Sequence, residues 1–281
     1  MTAIDATPVR RTRLPARLQL TRRDLQIVLG MLWLLDGALQ FQPFMLRSSF
    51  AREIVAPTGD GQPAFVAVPV HWAARLIAAH PVAWDVPFAA VQLLLGIGLL
   101  VPRTARLALA ASLPWVVGVW FFGEGLSGLA SGDASLLSGA PGAVLLYGVL
   151  ALVAWPAEGR PRSVSWLPFA WATLWLGAAL LQVLPDNNSG SAVAGSISTA
   201  SLARWAAGHG ALAVGLLVVV EAAVGIAAVS RRTRAVGALA GFVMALAIWA
   251  FAQNFGDLFS GQATDPNSGP LLALLAIALA T

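Results

Sequence analysis

Apolar runs at residues 25–46, 86–101, 107–122, 140–155, 166–184, 211–229, 235–251 and 270–280 follow one another along the chain, punctuated by Gly, Pro and Arg. They are apolar on all sides and lack the period-two alternation of a barrel strand, so in lipid only helices satisfy their backbone. Composition agrees: 58% of residues are hydrophobic and 11% charged, against about 25% charged in a soluble domain. Mean hydropathy is +0.77. A helix needs about 20 residues to cross the hydrocarbon core, so several runs must borrow flanking turns or thin the bilayer, and 270–280 is the weakest span.

The runs form one unit written twice. Shifted by 129 positions, Ala74-Arg75-Leu76-Ile77-Ala78-Ala79-His80 falls on Ala203-Arg204-Trp205-Ala206-Ala207-Gly208-His209. The same offset pairs Gln92 with Glu221, Gly96 with Gly225, Arg103-Thr104 with Arg232-Thr233, Trp120 with Trp249 and Ser131-Gly132 with Ser260-Gly261. An offset of 142 aligns the first helix, pairing Leu32-Trp33 with Leu174-Trp175, Gln40 with Gln182 and Pro43 with Pro185, so the second copy has a loop 13 residues shorter. The expectation is an all-α integral membrane protein of about eight transmembrane helices. Residues 1–24 form a basic head, 25–157 the first four-helix repeat and 158–281 the second. Four spans per copy is an even number, so the repeats are parallel, with a pseudo-twofold axis along the membrane normal. Gly237 and Gly241 make a small-residue face for close packing within the bundle.

Arg sets the orientation, because the chain has no Lys. Thirteen Arg lie in the head and in the loops holding Arg103/Arg106, Arg160/Arg162 and Arg231/Arg232/Arg234. Four lie on the other side: Arg47, Arg52, Arg75 and Arg204. Both termini are therefore expected in the cytoplasm and the Asp-, Gly- and Ser-rich loops outside. With the Arg, Ala, Gly and Leu richness, this points to a bacterial plasma membrane. The head has no small-residue cleavage site and is expected to lie unstructured on anionic headgroups. The Arg residues are not interleaved with aromatics on one surface, so nucleic acid is excluded as a partner despite the high pI. The absence of Cys removes thiolate metal sites and catalytic thiols.

Charge in the middle of a span costs about 2.5–3.5 kcal/mol and needs a reason. Asp36 and Glu221 are the two cases, and their repeat partners are Ala178 and Gln92. Gln40 lies one turn after Asp36 on the same face, and Gln182 is its counterpart. Around a pseudo-axis, Asp36, Gln40, Gln92, Gln182 and Glu221 would form a polar cluster at mid-depth, serving as a ligand or proton site or as interhelical glue. The second constellation is the duplicated Arg75/His80 and Arg204/His209. Residues 63–79 read as a helix at the outer interface, anchored by Trp72. Its Arg and His would bind an anionic headgroup, a carboxylate or a quinone carbonyl, or simply hold the helix at the interface. No third ligand besides His71 is near in sequence, so no metal site is expected. The Gly- and Ser-rich stretches 122–132 and 251–261 read as outer caps or re-entrant segments. Residues 265–269 have the wrong Gly spacing for a calcium loop and no closing Glu.

Residues 37–43 (Gly-Ala-Leu-Gln-Phe-Gln-Pro), 92–106 (beginning Gln92-Leu-Leu-Leu-Gly96) and 221–234 (beginning Glu221-Ala-Ala-Val-Gly225) resemble the DoxX/DoxD family of small bacterial membrane proteins. The resemblance implies a four-helix membrane bundle, here in tandem. Through family members that are subunits of thiosulfate:quinone oxidoreductases or partner with redox enzymes, it also implies a bound quinone and a redox partner protein. Glu221 keeps the acidic residue of that pattern. Gln92 replaces it in the first copy, and Gln40 and Gln182 stand where a basic residue is expected.

Three functions follow as expectations. The first is a quinone- or lipid-binding membrane subunit that supports an oxidoreductase. The second is a small-solute or proton-coupled transporter using Asp36 and Glu221. The third is a structural scaffold. No phosphate loop, nucleophile elbow or metalloprotease helix is present to mark an enzyme.

Overall fold

The computed structural model describes residues 20–156 and 164–281. Most of the basic head and the 157–163 segment between the two halves, with Arg160 and Arg162, lie outside the described residues. Among the described residues there are helices and turns and no strand.

Each apolar run contains one main helix. In the first half these are α1 (Arg22–Leu39), α3 (Pro81–Leu100), α4 (Ala105–Phe122) and α5 (Ala143–Val153), with α2 (Ala64–Ala79) preceding α3. In the second half they are α6 (Leu167–Leu181), α9 (Gly210–Val229), α10 (Arg234–Ala247) and α11 (Ser268–Ala280), with short α7 (Gly190–Gly195) and α8 (Ala200–Gly208) before α9. A π turn, Ile248–Ala252, extends α10. Thr21 starts α1 with a capping box: its hydroxyl accepts from Asp24 N at 3.1 Å, and the Asp24 carboxylate accepts from Thr21 N at 2.8 Å. Single residues, His80 and His209, separate α2 from α3 and α8 from α9.

Among the described residues four helices are long and apolar enough to cross a membrane: α3, α4, α9 and α10 with its π turn. Their outer faces carry Leu94, Ile97, Leu107, Val117, Val219, Ile226, Val236 and Leu239, each more than half exposed. Such continuous apolar surface is stable only in lipid, and the chain is an all-helical membrane protein. Helix α1 has the length but carries Arg22, Arg23, Asp24 and Asp36. Helices α5, α6 and α11, of 11, 15 and 13 residues, rise only about 16, 22 and 20 Å.

In the first half α1 packs on α3, α3 on α4 and α4 on α5; in the second, α6 packs on α9, α9 on α10 and α10 on α11. Helices α5 and α11 are buried on nearly every side and meet at the centre, so one hydrophobic core runs through both halves. Close approach of α1 and α3 requires glycine: a Cβ on Gly96 would stand 2.8 Å from the Gly30 carbonyl. The Gly237/Gly241 face packs inside the chain, Gly237 against Ala227 of α9 and Gly241 against the Trp171 ring of α6.

The helix ends that meet near Arg22 are basic. Arg23 donates to the Leu99 and Leu100 carbonyls at the end of α3, and Arg22 to Trp155 O at 3.0 Å just after α5. Arg234 donates to Ala228 O at 3.1 Å at the end of α9. These guanidiniums satisfy carbonyls that have no intrahelical partner and complement the negative end of each helix dipole.

Candidate functional site

At the opposite end of the helices from Arg22 and Arg23 lies a cavity of about 820 Å³, walled by α1, α2, α3, α4, α5, the segment between α1 and α2, and the loops that follow α4 and α10. Its floor follows from helical periodicity. Trp33, Asp36 and Gln40 recur at three and four residues on α1, so they share one stripe, and all three line the cavity. Gln92 reaches it from α3 and Tyr147 from α5, with the Trp33 and Tyr147 rings 4.4 Å apart. All five are less than a tenth exposed. Asp36 Oδ1, Gln40 Oε1, Gln92 Oε1 and Trp33 Nε1 make no hydrogen bond, and the Tyr147 hydroxyl faces the Asp36 carboxyl. Leaving a buried donor or acceptor unmatched costs about 1–3 kcal/mol each, a cost that a folded core avoids unless something else engages the group.

Two further carboxyls close over this floor. Glu124 sits just past α4 and accepts from Val144 N, near the start of α5, at 3.1 Å and from Ser127 Oγ at 3.2 Å. Burial, reinforced by the charge of Asp265, pushes its pKa up to about 8, against the pull of the Val144 and Ser127 hydrogen bonds. Asp265 comes from the other half of the chain. It accepts from Thr264 Oγ1 and Asn267 N, each at 2.7 Å, and burial likewise pushes its pKa above the usual carboxylate range.

An unusual turn positions Glu124. Residues Gly125–Gly128 are all left-handed, with φ of 54, 56, 52 and 77°, and Asn254–Asp257, 129 residues on, repeat this with 45, 58, 69 and 51°. Each left-handed residue other than Gly costs roughly 1–2 kcal/mol, so a run of four persists only where the surroundings impose it. A 2.7 Å bond from Ser127 N to Glu124 O, matched by Gly256 N to Gln253 O at 2.7 Å, closes each turn.

The loops then exchange between halves. Gln42 Nε2 donates to Ala263 O at 2.9 Å, tying the 256–267 loop over the first-half cavity. Reciprocally, Asn187 Nδ2 donates to Ala134 O at 3.1 Å, tying the 128–138 loop to the second half. Ala134 and Ala263 are themselves 129 residues apart.

The expected polar cluster is thus brought together only in part. Asp36, Gln40 and Gln92 share the cavity. Gln182 instead donates to Asn187 O at 2.7 Å, and Glu221, although 1% exposed with Oε2 unpartnered, does not line the cavity. Arg75, His80, Arg204 and His209 are all exposed at the α2/α3 and α8/α9 junctions and outside the cavity. His209 stacks on Trp205 with ring centroids 5.3 Å apart, and Arg204 Nε donates to Ala200 O at 3.3 Å. Sequence reasoning missed Glu124, Asp265 and Tyr147, together with Asp85, which is fully buried in α3 with both carboxyl oxygens unpartnered. Signals existed for two of them: Glu124 is flanked by Gly on both sides, and Tyr147 is the only tyrosine in the chain, set in an apolar run.

Fold and site together define an all-helical membrane protein with a partly open, acid-lined cavity. No protein-family model, curated protein or solved structure matches the chain.

Proposed function

We propose that this protein binds a small amphiphilic molecule in the cavity of its first half, with the ligand's polar head at Asp36, Gln40, Gln92 and Tyr147. The observation that carries this is the set of buried, unpartnered polar atoms on one cavity wall. The proposal includes the arrangement expected from sequence: eight spans in two parallel four-helix units, termini in the cytoplasm and the cavity facing outward. The recurrence of packing order, left-handed turns and loop exchange at a constant offset supports it. The copies diverge at the site: where the first has Asp36, Glu124 and Tyr147, the positions 142 or 129 residues on hold Ala178, Gln253 and Ala276. Gln253 is satisfied locally by Ser268 Oγ at 2.8 Å and Gly269 N at 3.2 Å. Binding therefore belongs to the first unit and scaffolding to the second. The lipid headgroup or quinone ring expected from sequence fits this description of the ligand, while support of a redox enzyme follows from the DoxX/DoxD resemblance alone. Paired gating by Asp36 and Glu221 has no shared cavity behind it.

Gly118 offers a clean test, because it lines the cavity and a Cβ there would meet nothing within 4 Å. Native mass spectrometry of the protein purified from its membrane should detect a retained small molecule that Gly118→Phe lacks. Equal spectra for the two proteins would refute the proposal.

A further inference from the structure

We propose that the ligand is an organic ammonium ion, held among Asp36, Glu124 and Asp265 against an aromatic wall and taken up in exchange for a proton. This deepens the preceding proposal and rests on the cavity being a ligand site.

The sign of the lining is the first ground. Among the described residues six carboxyls face the cavity, Asp36, Asp60, Glu124, Asp133, Asp257 and Asp265, and no Arg or His does, in a chain with more Arg than acidic residues. Asp60, Asp133 and Asp257 are exposed at the rim, whereas Asp36, Glu124 and Asp265 lie within. A low-dielectric mouth ringed by one sign of charge concentrates the opposite sign.

The second ground is the hydrogen-bonding character of the unsatisfied groups. Along α1 and α3, Asp36 Oδ1, Gln40 Oε1 and Gln92 Oε1 are acceptors without donors; the unmatched donors of the lining are the indole N–H groups of Trp33 and Trp115, which stand in its aromatic part. An ammonium group brings the donors that these three acceptors lack, whereas a carboxylate or a quinone oxygen brings only acceptors and would leave all three unmatched. The third ground is the wall. Trp84, Phe88 and Trp115 form a contiguous aromatic surface, with Phe88 5.6 Å from Trp115 and 6.1 Å from Trp84, and Trp72 stands beside it. Such a surface takes the apolar part of the ligand and attracts its charge through the ring faces.

Exchange follows from charge balance. Three carboxyls sharing one cavity without a counter-charge cannot all ionise; burial already holds the pKa values of Glu124 and Asp265 up, and the charge of Asp265 adds to the effect at Glu124. A bound ammonium supplies the missing positive charge, and one carboxyl releases its proton to water. One cation enters, one proton leaves and the net charge of the cavity is unchanged. The other titratable groups facing the cavity are Tyr147 and the rim acids, of which Asp60 is engaged by His71 at 3.1 Å.

The test is calorimetry on the full chain in lipid nanodiscs with 2-phenylethylammonium, the neutral 2-phenylethanol and a short-chain ubiquinone analogue. Titrations run at pH 7 in two buffers of different protonation enthalpy. The expected result is that the ammonium binds at least tenfold more tightly than the alcohol and releases close to one proton. Its affinity should rise from pH 6 to 8.5 as the inner carboxyls ionise. Asp36→Asn and Glu124→Gln should each weaken it at least tenfold, with folding verified by elution profile and circular dichroism. Alcohol affinity within twofold of the ammonium, absence of proton release, or full affinity in both variants would overturn the proposal. Binding of the alcohol or quinone analogue that Gly118→Phe abolishes, without binding of the ammonium, would refute the cation and leave the ligand site standing. Binding of every probe unchanged by Gly118→Phe, or of none, would refute both.

Discussion

Glu124→Gln should stabilise the protein at neutral and alkaline pH. In the folded state the Glu124 carboxyl titrates at about 8, against an ordinary 4.5. Between these values the unfolded chain has released the proton while the folded chain retains it. Raising the pH therefore removes stability from the wild type, and the loss is complete once the pH passes the folded value. The gap corresponds to about 5 kcal/mol at most; water in the cavity screens a partly exposed group and brings this to roughly 2–5 kcal/mol. Gln carries no such penalty, and its amide oxygen can still accept from Val144 N, as Gln253 accepts from Gly269 N at 3.2 Å at the corresponding place in the second half. Thermal unfolding in detergent from pH 4.5 to 9, read by circular dichroism, should show the two proteins alike at the acid end. The variant's Tm advantage should grow to about 5 °C or more by pH 8 and then level off. A constant difference across the range, or a variant less stable at pH 8, would refute the placement of Glu124 as a buried carboxyl held against its charge.

Other outcomes follow from the same geometry. Arg75→Gln and His80→Gln should leave the affinity for cavity probes within twofold at every pH, because both residues are exposed outside the cavity; a tenfold loss would return them to the site. Gly125→Ala should cost at least about 2 kcal/mol, since φ is 54° and the new Cβ would overlap the Thr58 carbonyl; near wild-type melting would mean that the left-handed turn is not as described. Arg23→Ala should lower Tm through loss of its charge-assisted bonds to Leu99 and Leu100, about 1.5–3 kcal/mol each at most, without altering probe affinity.

Much of the helical framework is legible because lipid leaves so few options: each apolar run contains a helix, and the bounds move only where local chemistry intervenes. The first run extends in sequence to residue 46, but the chain leaves the helix after Leu39 and turns through Pro43. Asp85, just outside the second run, is drawn into the first turns of α3, which Pro81 starts. Asp36, Gln40 and Gln92 were legible as candidates because a polar side chain inside an apolar helix is conspicuous. Glu124 and Asp265 were not. Glu124 is placed by a left-handed turn and by Val144 N of the following helix, and Asp265 by a loop that Gln42 of the other half ties down through Ala263, and no periodicity within either loop encodes those contacts. Arg75/His80 and Arg204/His209 stand out in the sequence by their repetition, and in the structure they are exposed at two helix junctions, outside the cavity. The proposed ligand site lies instead at Asp36, Glu124 and Tyr147, where the residues 142 or 129 positions on are Ala178, Gln253 and Ala276.

An experimental density map of the protein in lipid nanodiscs with 2-phenylethylammonium should show density in the first-half cavity, with the ammonium within about 3 Å of the Asp36 carboxyl and the ring against Trp84, Phe88 and Trp115. The corresponding region of the second half should be filled by protein side chains. A cavity that is closed and dry, or a ligand bound only at the exposed Arg75/His80 and Arg204/His209 junctions, would contradict the proposed ligand site.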